Sequence, residues 1–390
     1  MGATGTVTIP GFSITNDFSV EAGVVTNISI PSSIMMSYYD WIEAKGIHVT
    51  ASQPVSVYGM VFSHFTSSSF TGYPTPLLGS NYCILSRPSL DDWPLDGDTH
   101  SQFAIVATAD NTTVSIAPSA TANLNWYPEP YEVTNLMQGE TYQVASTDYT
   151  GDVTGTWIHS DKPVAVFAGA NLAYVPNADS YSGNPLVQEQ MPVDTWGTQV
   201  LALSYAARTN GASYRVLAAA NDTIVFTNGV VAGTNQAAHF LDLMIDGPVE
   251  FRGSHPIQVA QFANGFTIDA PDTREGDPCG ILLPPAGRYL QTNTVATLPL
   301  QWNFVGFHTN WLNIIAPQSA LSNTMVDGST VDAAEFAPIG TSGYYGTQLL
   351  LTNDVSEASS HTVISSQPVW VQIYGFGEMD AYSYFGGLVK

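Results

Sequence analysis

The sequence predicts an all-β protein built from tandem repeated antiparallel β-sandwich modules that pack through long joining loops. Two observations support this fold class. A short proline-containing motif occurs four times along the chain, and the segments near its copies alternate apolar and polar residues with the period of a β-strand. Helical periodicity is almost absent, and its one candidate is the stretch at residues 35–44.

The repeated motif is a Ser or Asp, a spacer residue, Pro, a Val or Ile, any residue, and Val. Its copies occupy residues 52–57, 161–166, 254–259 and 366–371. An apolar residue stands five positions before each proline: Val49, Ile158, Phe251 and Val363. We expect a strand, a tight turn in which the Ser or Asp bonds its own backbone, and a second strand that the proline opens. The four apolar residues should then occupy equivalent core positions.

Hairpin signals with Asn or Asp at the turn precede the later copies, and they complete a multi-stranded unit. The N-terminal residues look like the same unit without its first strand. The predicted modules are therefore 1–100 (first strand missing) with a joining loop, 101–208 with a joining loop, 209–305 with a joining loop, and 306–390. The joining segments at 64–100, 168–208 and 263–305 are rich in Gly, Pro, Tyr and Asp.

The charge of the chain is strongly one-sided. It has 33 acidic and 9 basic residues, which gives a formal net charge of −24. Such a chain repels nucleic acid backbones and anionic lipid, so we expect neither as a partner. The sequence has no apolar run of the roughly 18 residues that a spanning helix needs, so direct membrane insertion is not expected either. Cationic partners and divalent metal ions remain compatible with this charge.

The N-terminus has neither a basic stretch nor an apolar stretch of a secretory leader. Only 11% of residues are charged, a composition typical of secreted β proteins, so we expect an extracellular or cell-surface protein whose leader is absent from this chain. Cys83 and Cys279 exclude a disulfide-dense scaffold. Either one long-range disulfide or two buried thiols fits the sequence.

Several segments, taken together and in order, resemble the N-terminal domain family of the IgG Fc-binding protein, which also occurs in bacterial surface proteins. Besides the repeated motif, the segments that carry the resemblance are residues 103–114 (FAIVATADNTTV), 154–158, 186–190, 194–197 and 374–377. The resemblance implies an extracellular, non-catalytic role in a large mosaic protein. Fc binding is attributed to the mammalian members. The scarcity of cysteines in this chain points to a bacterial or archaeal surface protein.

An acidic loop at residues 91–98 offers a candidate calcium site. Asp91, Asp92, Asp96 and Asp98 supply hard oxygen ligands at short spacing, although the spacing is not that of an EF-hand. A solvated turn is the alternative interpretation. No other cofactor is indicated.

Motifs that would indicate catalysis are missing from the sequence. The eight histidines show no paired zinc-binding spacing, and there is no Gly-x-Ser-x-Gly elbow or phosphate-binding glycine loop. The two cysteines have no nearby histidine to activate them. We therefore predict that the chain is not an enzyme.

Aromatic and acidic residues in the joining segments form the candidate ligand-binding surface. The predicted contact residues are Tyr73, Trp93, Tyr174, Tyr181, Asp91, Asp92, Asp179 and Asp272. Tyr and Trp on loops are common contact residues, but they could equally pack between modules. The leading hypothesis is an adhesion or ligand-binding region that recognises a protein or glycan on another cell or matrix. The alternatives are a structural spacer in a surface filament and a secreted glycan-active enzyme.

Overall fold

The computed structural model describes residues 2–63, 66–89, 99–124, 127–177, 180, 182–298, 306–351 and 359–389. Strands make up 54% of the structure, which confirms the all-β prediction. The helical segments in the described ranges are the α-helix α1 (Phe266–Asp269) and short 3-10 turns at Pro10–Phe12, Ser32–Ile34, Thr75–Leu77, Val193–Thr195, Ala286–Arg288, Gln318–Asn323 and Ala333–Glu335. Within these ranges, no helix is long and apolar enough to cross a membrane.

The strands fall into four groups along the chain. The first group contains β1 (Ala3–Ile9), β2 (Ile14–Val20), β3 (Ile42–Glu43), β4 (His48–Ala51), β5 (Val57–Ser63) and β6 (Thr66–Gly72). The second contains β7 (Gly79–Cys83), β8 (Ser101–Ala107), β9 (Thr112–Ala117), β10 (Tyr131–Leu136), β11 (Thr141–Ala145), β12 (Trp157–Tyr174) and β13 (Gly183–Glu189).

The third group contains β14 (Gly197–Ala202), β15 (Ala212–Ala218), β16 (Thr223–Thr227), β17 (Val230–Asn235), β18 (Phe240–Ile245), β19 (Val249–Phe262) and β20 (Gly280–Leu283). The fourth contains β21 (Leu290–Ala296), β22 (Phe307–Pro317), β23 (Met325–Val326), β24 (Ser329–Thr330), β25 (Ala337–Pro338), β26 (Tyr344–Leu351), β27 (Ser360–Gly377) and β28 (Asp380–Phe385). All of their pairings are antiparallel, as predicted.

The last three groups share one pairing pattern around a long strand. In the second group, the first half of β12 pairs with β7 and β9, and its second half pairs with β8 and β13. The strand β19 makes the same four pairings with β14, β16, β15 and β20. The strand β27 makes them with β21, β23, β22 and β28. Each long strand therefore changes pairing partners at its middle, as strands at sandwich corners do.

The proline motif lies where the long strand changes partners. The register of β12 against β7 shifts between His159 and Val164, and the shift encloses Pro163. Proline has no N–H to donate, so a bulge tolerates it where a regular ladder would not. The predicted tight turn is therefore a bulge within a continuous strand in the last three copies. In the first copy, an irregular stretch separates β4 from β5.

In the first three copies, the first residue of the motif also bonds the backbone of a neighbouring strand. The Asp161 carboxylate accepts a hydrogen bond from the Thr113 backbone N–H at 2.8 Å. The Ser254 hydroxyl accepts from the Ile224 N–H at 2.9 Å. The first copy repeats the contact, because the Ser52 hydroxyl accepts from the Thr4 N–H at 3.0 Å. This equivalence identifies β1 as the counterpart of β9 and β16.

The predicted apolar column is buried in the last three groups. Ile158, Phe251 and Val363 are each at most 1% exposed. Val49 of the first group is only half-buried, and Val55 of the same group is 37% exposed. The reason is structural: among the described residues, the first group has no counterpart of β7 or β8 to cover this strand.

The three joining segments contain strands where the sequence analysis expects loops. Each holds the last strand of one group and the first strand of the next. The last strands of the four groups meet one another: β6 contacts β13 and β28, and β20 contacts the same two strands. The chain thus closes into a ring with these four strands at its centre. The module boundaries at 100/101, 208/209 and 305/306 stay a prediction, because strand pairing alone does not set domain limits.

Candidate functional site

Loops of the second and third groups meet at one end of the ring. The β8 strand pairs with the end of β12, so the loop before β8 lies beside the loop after β12. The Ser89 hydroxyl donates to the Leu172 carbonyl at 2.7 Å, and the His100 N–H donates to the Asn171 side-chain oxygen at 3.0 Å. These contacts fix the start of each loop on the rigid sheet.

The loops that follow β12 and β19 are joined directly. The Gly265 N–H donates to the Val175 carbonyl at 2.9 Å, and the Ser182 hydroxyl donates to the Asp277 carboxylate. A Cβ at Gly265 would lie 3.0 Å from the Ser182 carbonyl, so the two backbones approach closely here. We call the described residues 84–89, 99–100, 171–177, 203–211 and 263–279 the loop face.

A third segment of the loop face is anchored by polar contacts to α1 and the residues after it. The Asn210 side chain donates to the Ile268 carbonyl at 2.9 Å, and the Arg208 guanidinium donates to the Glu275 carbonyl at 2.7 Å. Arg208 also stacks on Phe376, with 3.8 Å between the guanidinium carbon and the ring centre. The loop face is therefore held by its own side chains as well as by the sheets.

The predicted contact residues divide among three locations. Asp272 is exposed on the loop face. Tyr174 is half-buried at the edge of that face, with its ring over Gly183. Tyr73 lies at the opposite end of the ring: it follows the end of β6, and its N–H donates to the Glu189 carboxylate at 2.7 Å. The remaining predicted residues lie outside the described ranges: Asp91, Asp92, Trp93, Asp179 and Tyr181.

The predicted calcium site also lies outside the described ranges, because Asp91, Asp92, Asp96 and Asp98 all belong to residues 90–98. Among the residues that the structure describes, no three His, Cys, Asp or Glu side chains are grouped closely enough to hold a metal ion. Calcium binding by the 91–98 loop stays a prediction.

Beneath the loop face lies a buried polar cluster that the sequence analysis missed. The Ser67 hydroxyl donates to the Asp380 carboxylate at 2.6 Å, and the Asn184 amide donates to it at 3.2 Å. Burial raises the pKa of the Asp380 carboxyl to about 6. Burial raises the pKa of the Asp277 carboxyl well above its usual value, and repulsion from the Asp380 carboxylate adds a smaller contribution in the same direction. The sequence around Asp277 is acidic and contains prolines, so it does not indicate that the Asp277 side chain is buried.

This cluster is poorly suited to catalysis on a large substrate. Asp277 and Asp380 are each only 2% exposed, so a polysaccharide cannot reach their carboxyl groups. A glycosidase needs two carboxyl groups that flank the scissile bond in an open groove. The neighbouring Cys279 thiol is also buried, and burial raises its pKa to about 12, which suppresses the nucleophilic thiolate.

Cys83 and Cys279 are two free buried thiols. Cys83 lies on β7, where it pairs with Trp157, and Cys279 lies immediately before β20. Of the two arrangements that fit the sequence, the structure has the buried thiols and not the long-range disulfide.

Comparison with known proteins identifies the family. The family model described as IgGFc binding protein matches residues 68–375. The human IgGFc-binding protein is 23% identical over 316 residues, which is 80% of this chain and 5% of the human protein. The chain therefore spans only a small part of that relative. Because the family model covers most of the sequence, the chain belongs to the IgGFc-binding protein family.

Proposed function

We propose that this chain is an extracellular ligand-binding region whose partner is a protein bound at the loop face. One observation carries the proposal: loops from two strand groups are joined at Gly265 and Val175 and expose Asp272 on a rigid ring. Loops positioned by a rigid scaffold are a common location for binding residues. The net charge of −24 favours a partner with a basic surface.

The family supports a binding role and gives a first partner to test. The description of the family and the name of the human relative both refer to binding of IgG Fc, and neither refers to a reaction. We extend this to the chain as a proposal: a protein ligand, with the Fc fragment of human IgG as the first candidate. A glycan ligand on the same aromatic and acidic residues is the second candidate. The bacterial or archaeal origin suggested by the cysteine content is likewise a proposal, since the relative reported above is human.

The closed ring argues against the spacer alternative. A spacer module extends a filament when its ends point apart, so its first and last units should be far from each other. Here β6 of the first group contacts β28 of the fourth group. The chain returns to its starting point, which suits a binding platform better than an extension.

The test is surface plasmon resonance of the purified chain against human IgG Fc, followed by protein and glycan arrays if Fc does not bind. We expect Asp272→Ala and Trp93→Ala to weaken binding of the ligand that these measurements identify. The loss of binding free energy for Trp93→Ala should be roughly 2 kcal/mol if Trp93 is an anchor residue. Asp17→Ala, an exposed acid on β2, is the matched control and should bind as the parent does. If Asp272→Ala and Trp93→Ala both bind the ligand as tightly as the parent while circular dichroism shows them folded, the predicted acidic and aromatic contact residues do not bind the partner.

A further inference from the structure

Oxygen donors from all four strand groups converge at the centre of the ring, beneath the loop face. The first group supplies Ser67 of β6, and the second supplies Ser182, just before β13, and Asn184 in its first turn of pairing. The third supplies Asp277, just before β20, and the fourth supplies Asp380 of β28. Each of these five residues is at most 5% exposed. We call them the oxygen cluster.

The start of β13 holds the two carboxylates of the cluster side by side. The Ser182 hydroxyl donates to the Asp277 carboxylate, and the Asn184 amide donates to the Asp380 carboxylate at 3.2 Å. Ser182 and Asn184 stand two residues apart where an extended strand begins, so their side chains leave the same face about 7 Å apart. Asp277 and Asp380 therefore lie close enough for their charges to repel each other.

One oxygen of the cluster has no hydrogen-bond partner. The Ser67 hydroxyl donates to the Asp380 carboxylate at 2.6 Å, which completes the contacts between the groups. Among the described residues, the fully buried side-chain oxygen of Asn184 receives no hydrogen bond. It belongs to the same planar amide that contacts Asp380, so a free acceptor stands beside the carboxylates. Folded proteins rarely leave a buried acceptor without a donor or a bound ion.

The two carboxylates also lack a paired counter-charge. Among the described residues, neither Asp277 nor Asp380 forms a salt bridge. The charge of Arg208 acts on Asp277, but the Arg208 guanidinium donates to the Glu275 carbonyl and stacks on Phe376. Buried carboxylates are normally paired with a cation or coordinate a metal ion. The raised pKa of both carboxyl groups agrees with a counter-charge that the chain itself does not supply.

We propose that the oxygen cluster binds one calcium ion, which clamps the four strand groups together beneath the loop face. Ca²⁺ takes six to eight oxygen ligands in flexible geometry, and a carboxylate can supply two of them, so five residues suffice. A serine hydroxyl that donates to a carboxylate keeps its lone pairs for the ion. The absence of sulfur and imidazole donors from the cluster disfavours Zn²⁺. The cluster is separate from the acidic loop at 91–98, and the inference does not depend on the proposed function.

Calcium titration tests the proposal in a background that removes the other predicted site. The background variant carries Asp96→Asn and Asp98→Asn, and isothermal titration calorimetry follows Ca²⁺ binding in a potassium buffer after chelator treatment. We expect saturable binding with a dissociation constant of about 10⁻⁴–10⁻³ M, the range of extracellular calcium modules. Adding Asp380→Asn, which keeps the side-chain shape and removes one ligand charge, should weaken Ca²⁺ binding by about tenfold or more.

Glu189→Gln in the same background is the matched control variant. Glu189 is also a buried acid, 4% exposed, but it lies at the opposite end of the ring beside Tyr73, so this variant should bind Ca²⁺ as the background does. Hydrogen exchange of the background variant locates the ion without any substitution in the cluster. Ca²⁺ should slow exchange around the members of the oxygen cluster in all four strand groups at once.

Three results would each overturn the proposal: no saturable Ca²⁺ binding by the background variant, equal affinity of the Asp380→Asn and Glu189→Gln variants, or slowed exchange in one strand group alone. If circular dichroism shows that Asp380→Asn does not fold, the exchange measurement decides. Loss of calcium binding when sodium replaces potassium in the buffer would assign the cluster to a monovalent cation and would equally overturn calcium.

Discussion

Ser69 and Ser383 form a reciprocal contact that closes the ring. The Ser69 hydroxyl donates to the Ser383 carbonyl at 3.0 Å and accepts from the Ser383 N–H at 3.1 Å. One side chain thus takes the place of a backbone ladder between β6 of the first group and β28 of the fourth. Thr71 repeats the arrangement two residues later with Phe385, at 2.8 and 3.2 Å. Among the described residues, hydroxyl groups of β6 therefore take the place of sheet pairing between the first and last strand groups.

The first prediction is that Ser69→Ala lowers the free energy of unfolding by about 1–3 kcal/mol, because it leaves a buried backbone N–H and carbonyl without partners. Urea denaturation followed by tryptophan fluorescence measures the change. Ser19→Ala, at an exposed position of β2, is the control and should change stability by less than about 0.5 kcal/mol. Equal stability of the two variants would show that the ring contact contributes nothing.

The second prediction concerns Arg215, which connects the second and third groups. Its guanidinium contacts the Asp152 carboxylate at 2.6 Å and the Asp242 carboxylate at 2.8 Å, and it stacks on Phe240 at 3.7 Å. Arg215→Met should cost about 3 kcal/mol or more, since it leaves the buried Asp152 without its counter-charge. Adding Asp152→Asn should restore part of the loss, and chemical denaturation of both variants measures it.

The exposed Arg274 provides the control for Arg215. Its guanidinium lies 5.7 Å from the centre of the Phe266 ring at the surface, so Arg274→Met should cost less than about 1 kcal/mol. If Arg215→Met is as mild as this control, the buried pair is not what holds the two groups together.

The third prediction is a loss of stability as the pH rises. Burial raises the pKa of the Glu189 carboxyl to about 8, although the Tyr73 N–H partly opposes the shift. The folded chain therefore keeps this proton between about pH 4.5 and 8, whereas the unfolded chain releases it. The stabilisation from protonated Glu189 is fully present below about pH 4.5. As the pH rises from there to about 8, the free energy of unfolding falls by at most about 1.4 kcal/mol per pH unit, because one proton is involved.

Glu189→Gln isolates this contribution. The glutamine oxygen can still accept from Tyr73, but the side chain no longer titrates, so the unfolding free energy should fall less between pH 5 and pH 8 than in the parent. Asp380, with a pKa of about 6, adds a decline that both proteins share at the lower end of this range. Parallel pH profiles for parent and variant would contradict the assigned protonation of Glu189.

Apolar alternation in the sequence predicted the strands on both sides of each proline, but not that the two form one continuous strand in the last three groups. Ile158 and Phe251 occupy the expected core positions, and the recurring proline marks the bulge. The ring was not predictable in the same way. The central strand β6 reads Thr-Ser-Ser-Ser-Phe-Thr-Gly, and its hydroxyl groups satisfy neighbouring backbones where apolar residues would normally pack.

The candidate site was predictable only in part, for a related reason. Asp272 and Asp277 stand five residues apart in one acidic loop, yet one is exposed and the other is 2% exposed. Their difference arises from contacts between groups, such as that of Ser182 with Asp277, which no local pattern records. The loop residues Arg208 and Asn210 were missed because neither belongs to a recognisable motif.

The fourth prediction concerns the two thiols. Burial raises the pKa of both cysteines, that of Cys279 to about 12, and each is at most 2% exposed. A thiol reagent reacts with the thiolate and needs access to the sulfur, so the folded chain should not react at pH 8. In denaturant both thiols should react, giving two equivalents per chain. Cys279→Ser should leave one equivalent in denaturant and none in the folded state.

Zero equivalents from the denatured parent without reductant would mean that the cysteines are disulfide-bonded, contrary to the structure. Rapid reaction of the folded parent would show that the strands around Cys83 or Cys279 open far more readily than their burial implies.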